Sequence, residues 1–141
     1  MEELELIKKI ISDIPTENIK KKEVTYRFKV PEKIYKKIKE KEGNKIAIKV
    51  TACCYEFLYD QETKEKCIYT IAEYLIGPES RNEKRECIIT ISKNLHSKMK
   101  KAAHELKITT SSLYESMIFI VANDLVKFKL PKCRFIRFNL I

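Results

Sequence analysis

The sequence predicts a mainly helical α+β protein with short β ribbons, and three observations carry that expectation. Val24-Thr-Tyr-Arg-Phe-Lys-Val30 alternates apolar and polar residues strictly, and Cys87-Ile-Ile-Thr-Ile91 sets Cys87, Ile89 and Ile91 on one face, so both read as short strands. Residues at helical spacing come directly after each of them. Leu113 to Val126 is apolar almost all round, which predicts a helix buried between several partners rather than resting one face on a core.

Length and composition bound the class. The chain has 141 residues, room for one domain or two very small ones at ~150 residues per domain. Hydrophobic residues make up 44% and charged residues 35%, enough of both to fold and to stay in solution. The longest apolar run, Met117 to Ala122, falls far short of the ~20 residues that span a bilayer. Met1-Glu-Glu-Leu-Glu5 carries no basic-then-apolar secretory pattern. The expectation is an intracellular, cytoplasmic protein with no membrane partner.

Charge sorts the partners. Lys and Arg number 29 against 20 Asp and Glu, a formal +9. Twelve of the basic residues lie between Lys20 and Lys49, against four Glu. Such a surface attracts phosphate, and nucleic acid is the commonest intracellular polyphosphate. The bland alternative is a Lys/Glu/Ile-rich proteome bias in which surplus lysine only keeps the protein soluble.

No metal, cofactor or catalytic residue is expected. The five cysteines, Cys53, Cys54, Cys67, Cys87 and Cys133, form no C-x-x-C pair and read as small buried apolar residues. His96 and His104 have no cysteine, nucleophile or carboxylate at informative spacing and read as solvated side chains. Two glycines could hardly build a phosphate loop, which argues against an enzyme.

The elements run in order. Leu4, Ile7, Ile10, Ile11 and Ile14 share one face of a short helix ended by Pro15, and a lysine-rich linker runs to Lys22. After the first strand, Pro31 suits the opening turn of a helix with Ile34 and Ile38 on its stripe, broken at Gly43-Asn44. Ile46 to Ile76 is ambiguous. Ile46, Ile48 and Val50 alternate as in a strand, whereas Val50, Cys54 and Leu58 fit a helix. Asp60 to Lys66 reads as a polar turn, and Cys67 to Ile76 as either the second arm of a hairpin or a helix. Residues 77–85 form the clearest linker. After the second strand, Ser92 can cap a helix with the stripe Leu95, Met99, Ala102, Ala103 and Leu106. Lys107-Ile-Thr-Thr-Ser111 breaks it and supplies hydroxyls for the next cap. Cys133 to Ile141 reads as a terminal strand or tail.

Strand, capped helix, turn and over-apolar helix thus succeed one another without a gap from Glu86 to about Val126. With Leu95, Met99, Ala102-Ala103 and Leu106 at core positions, Thr109-Thr-Ser-Ser-Leu113 opening the last helix, and Met117, Ile118 and Val121 within it, this segment resembles the ribbon-helix-helix domain of the MetJ/Arc repressor superfamily. One departure is Lys107, where the family usually has glycine in a left-handed turn. Phe28-Lys-Val-Pro31 with Ile34 and Ile38 is similar to the family's strand-to-helix junction, about 61 residues earlier, comparing Val30 with Ile91. The chain therefore reads either as two ribbon-helix-helix units in tandem, as in some regulators of archaeal viruses, or as one unit preceded by an unrelated β-hairpin module. The expected organisation is an N-terminal helix and linker at 1–22, a degenerate unit or hairpin module at 23–76, a linker at 77–85, the ribbon-helix-helix domain at 86–127 and a strand or tail at 128–141.

A single such strand is not stable alone, and the over-apolar helix has a second face to bury. Both needs predict a homodimer or higher oligomer, unless two tandem units pair within one chain. The resemblance implies an antiparallel ribbon in the major groove of double-stranded DNA, reading a palindromic site and blocking or recruiting polymerase. Outward residues Thr25, Arg27 and Lys29 of the first strand, and Ile88 and Thr90 of the second, are the expected base contacts. Glu86 shares that outward face. Thr109, Thr110 and Ser111, at a helix start with free amides, are the expected phosphate contacts. The alternative function is an antitoxin-type or other interaction module that uses the same fold for dimerisation.

Overall fold

A computed structural model describes residues 23–125 and the single residue Leu4. The helix expected over Glu2 to Ile14, its linker, Cys133 and the tail expected at 128–141 lie outside the described residues.

Alternation makes the ribbon. In β1 (Glu23–Pro31) the residues Phe28 and Val30 are buried while Thr25, Arg27 and Lys29 are exposed. In β2 (Lys84–Ser92) Cys87, Ile89 and Ile91 are buried while Glu86, Ile88 and Thr90 are exposed. The two strands pair antiparallel with each other, in one chain, as a two-stranded sheet. The strand partner expected from a second copy is thus supplied internally.

Each strand runs straight into a helix. Pro31 precedes α1 (Glu32–Glu42) and, having no N–H, leaves the cap to backbone: the Glu32 amide donates to the Glu83 carbonyl at 3.0 Å. Gly43, at φ 54°, ends α1, and a 3₁₀ turn over Gly43–Lys45 leads into α2 (Ile46–Tyr59). Ser92 precedes α4 (Lys93–Glu105), and its hydroxyl accepts from the Leu95 amide at 3.0 Å. Helix α4 closes at Lys107, which takes φ 60°. The Ile108 amide bonds the Ala103 carbonyl and the Lys107 amide bonds that of His104, both at 3.0 Å, which closes the turn despite the missing glycine. Thr109 then caps α5 (Thr110–Ala122), its hydroxyl accepting from the Ser112 amide at 3.0 Å.

Three expectations need correction. Ile46 to Ile76 holds no hairpin arm: it is α2 and then α3 (Gln61–Ile76). The polar turn expected from Asp60 to Lys66 is only Asp60, whose carboxylate caps α3 through the Thr63 amide at 3.0 Å and the Thr63 hydroxyl at 2.6 Å. Gln61 to Lys66 are all polar, and all but Thr63 lie at least partly toward solvent, while Thr63, Cys67, Ile71 and Tyr74 recur at helical spacing on the buried side. The linker is also shorter than 77–85. Strand β2 begins at Lys84, where the charged Lys84, Arg85 and Glu86 hid the strand signal but can sit on an exposed strand end.

The result is mostly helical with one small antiparallel sheet. Helix α5 lies at its centre, against β1 and all four other helices. Leu113, Tyr114, Met117, Ile118, Ile120 and Val121 are all buried there. The over-apolar character of that helix is satisfied within the chain, so it no longer demands a second copy.

Candidate nucleic-acid interface

The candidate site begins with the register of the ribbon. Thr25 lies opposite Thr90, Arg27 opposite Ile88 and Lys29 opposite Glu86. Directly opposed residues of an antiparallel pair point to the same side. All six therefore form one exposed face, on the side away from the core. Ile88 is 50% exposed there, an apolar side chain with no core beneath it.

Arg27 is the only arginine on this face. Its guanidinium reaches diagonally to the Glu86 carboxylate at 2.9 Å. The two side chains are 64% and 54% exposed, so the pair adds little stability, on the order of 0–1 kcal/mol, and can be opened by a competing ligand. Arg27 keeps further N–H donors in its fork when one is spent on Glu86.

The start of α5 is tied to the ribbon by a residue that sequence reasoning placed only in the core. Tyr26 turns its ring inward, against Phe28, His96 and Tyr114, and its hydroxyl shares a 2.8 Å hydrogen bond with the Ser111 hydroxyl. The signal in the sequence was a tyrosine among purely apolar inward residues, a ring that brings a polar tip. Thr109 spends its hydroxyl on the cap and its carbonyl on the Leu113 amide. The amides of Thr110 and Ser111 are in the first turn, where a helix offers no carbonyl partner. The Tyr26–Ser111 bond fixes the start of α5, and with it Thr109 and Thr110, against β1.

The start of α2, the second helix after β1, is built differently. Lys45 precedes α2 with no side-chain cap, and Ile46 and Ala47 come next. A groove of about 600 Å³ separates this helix start from β2, lined by Tyr35, Ala47, Arg85, Cys87 and Ile89. Arg85 lies over the Tyr35 ring at 3.9 Å from its centroid and pairs with Glu32 at 3.5 Å.

His96 is not the solvated side chain expected of it. Its Nδ1 shares a 2.8 Å hydrogen bond with the Tyr114 hydroxyl, and burial, with the nearby Lys100 charge as the smaller cause, lowers its pKa. His104 is exposed. Cys53, Cys54, Cys67 and Cys87 are free and buried, and burial raises Cys87 to about 11, against the opposing charge of Arg85. Among the described residues no group of His, Cys, Asp and Glu is placed to hold a metal ion, and no helix is long and apolar enough to cross a membrane. Comparison with protein-family models, curated proteins and solved structures finds nothing that matches this chain.

Proposed function

We propose that this chain is a sequence-specific, double-stranded DNA-binding transcription regulator built as two ribbon-helix-helix units in tandem, whose two strands form one reading ribbon. The observation that carries it is the six-residue outward face: Thr25, Arg27, Lys29, Glu86, Ile88 and Thr90, exposed together on a two-stranded ribbon backed by helices. A ribbon of this width fits the major groove. Arg27 and Lys29 suit guanine O6 and N7, Ile88 suits a thymine methyl, and the threonines accept or donate. The Thr110 and Ser111 amides suit a phosphate oxygen. The formal +9 of the chain supplies long-range attraction.

The test is a gel shift of the full chain on the DNA upstream of its own reading frame against random duplex, over a salt series. Specific retention is expected, with log affinity falling linearly against log salt at about −0.9 per phosphate neutralised. Equal, salt-insensitive binding to both duplexes would refute the function.

A second reading, an interaction module that uses this fold for assembly, is favoured by one feature. Tyr69 and Ile76 on α3 are 69% and 74% exposed, and Leu125 beyond α5 is 46% exposed. Tyr69 and Leu125 line one shallow groove with Phe119. Association that disappears in Tyr69→Ser, while DNA binding is absent throughout, would select it.

A further inference from the structure

Two identical chains that pair their strands about a two-fold axis must present the same side chain at both related positions. The consequence is a palindromic DNA site. This ribbon has the register of such a pair without its identity. Strands β1 and β2 are both nine residues long and start 61 residues apart, at Glu23 and Lys84. The pairing is symmetric about Arg27 and Ile88, residues also 61 apart, so a two-fold axis there would exchange Thr25 with Glu86 and Lys29 with Thr90. None of these pairs is alike. One end of the outward face is Thr25 with Thr90, two neutral hydroxyls. The other is Lys29 with Glu86, a cation beside an anion. The centre is a guanidinium beside an aliphatic side chain.

The grips at the two helix starts differ as well. Helices α2 and α5 begin 64 residues apart, which sets Lys45 against Thr109 and Ala47 against Ser111. Cys87 stands where Tyr26 stands in the other half. The hydroxyl tie of Tyr26 to Ser111 therefore has no counterpart, and the groove beside Ala47 and Cys87 takes its place.

We propose that one copy of this chain reads an asymmetric duplex site, with a G·C-dependent half under Lys29 and Glu86 and a permissive half under Thr25 and Thr90. This rests on the DNA-binding function proposed above and replaces the palindrome implied by the family resemblance. Lysine donates to guanine O6 and N7, while a carboxylate accepts from cytosine N4 and is repelled by the acceptors of guanine and thymine. Threonine hydroxyls rotate to donate or accept and discriminate less. The centre under Arg27 and Ile88 demands guanine on one strand and a thymine methyl nearby.

Selection of bound duplexes from a random pool by the full chain, with the mass of the complex measured by sedimentation, tests this. A non-palindromic motif held by one chain is expected. In the double variant Lys29→Thr, Glu86→Thr, whose fold is checked by circular dichroism, the G·C preference of one half should fall about tenfold or more while the Arg27 position persists. A palindromic motif held by two chains would overturn the asymmetric site and leave DNA binding standing. An unchanged motif in the double variant would overturn the assignment of that half to Lys29 and Glu86. No enrichment of any duplex would overturn DNA binding itself, and the asymmetric site with it.

Discussion

The thiol of Cys53 on α2 donates to the thioether sulfur of Met117 on α5 at 3.6 Å, and both residues are fully buried. They stand 64 residues apart, the separation that also relates Lys45 to Thr109 at the starts of their helices. They join the helix pair that follows β1 to the helix pair that follows β2. Soft, flexible sulfur side chains fill such a crossing without the hydrogen bonds that a polar pair would require.

Met117→Ala should therefore be costly, because it opens a cavity at the crossing that the neighbouring helices cannot fill. A loss of about 2–5 kcal/mol is expected in denaturant unfolding. A midpoint close to that of the wild type would mean that the two halves do not depend on this junction.

Arg27→Ala should behave in the opposite way. Its side chain is exposed and its ion pair with Glu86 is weak, so the melting temperature should hardly move. Specific DNA binding should fall toward the non-specific level, since a bidentate guanine contact is worth about 1–3 kcal/mol of discrimination. Arg27→Lys should rescue only part of it, because an ammonium cannot reproduce the fork. If Arg27→Ala binds its site like the wild type in a titration, β1 is not the reading strand.

The hydroxyls at the start of α5 divide into a cap, from Thr109, and a tie to β1, from Ser111. Thr109→Ala removes the cap and should cost about 1 kcal/mol of stability. Ser111→Ala breaks only the tie to Tyr26, about 0.5–1.5 kcal/mol, and should weaken specific and random DNA alike. A Ser111→Ala variant that changes preference between sequences would contradict the assignment of this helix start to backbone contact.

Buried Glu115 joins three elements. It accepts from the Tyr74 hydroxyl of α3 at 2.6 Å and from the Lys84 ammonium at the start of β2 at 2.9 Å. Burial of the Tyr74 phenol, and then its bond to this carboxylate, push its pKa well above the ordinary range. Tyr74→Phe removes one donor and should cost about 1–3 kcal/mol by leaving a buried carboxylate oxygen unbonded. Glu115→Ala should cost at least as much in thermal melting. Near-neutral outcomes for both would mean that solvent reaches this carboxylate.

His96 makes stability depend on acid. Burial and Lys100 lower its pKa below the ordinary 6.5, so the unfolded chain takes up the proton first. The stabilisation is full above 6.5 and is lost as pH falls through the lowered value. Melting temperatures between about pH 7 and 5 should decline less steeply for His96→Gln than for the wild type. Parallel declines would show that His96 is as free to protonate when folded as when unfolded.

Local physics is what the sequence determined by itself. Strict alternation from Val24 to Val30, and apolar residues at every second position from Cys87 to Ile91, report one buried face, and both segments are strands. Ser92 and Thr109 cap because short side-chain oxygens reach amides three residues on. The left-handed turn at Lys107 was implied by the family resemblance alone, since lysine has no local preference for it. The outward position of Thr25, Arg27, Lys29, Glu86, Ile88 and Thr90 comes from the same alternation. Tertiary structure decided the rest. Periodicity says that a face is covered, never by which segment, so the pairing of β2 with β1 of the same chain was open until the fold closed it. Helix α2 is buried on most sides, which hides its period and leaves Ile46, Ile48 and Val50 free to mimic a strand. Helix α3 shows solvent a polar face long enough to pass for a turn. The Tyr26 tie to Ser111 spans 85 residues, a distance over which no sequence pattern acts and only the packing of α5 against the ribbon can bring two hydroxyls together.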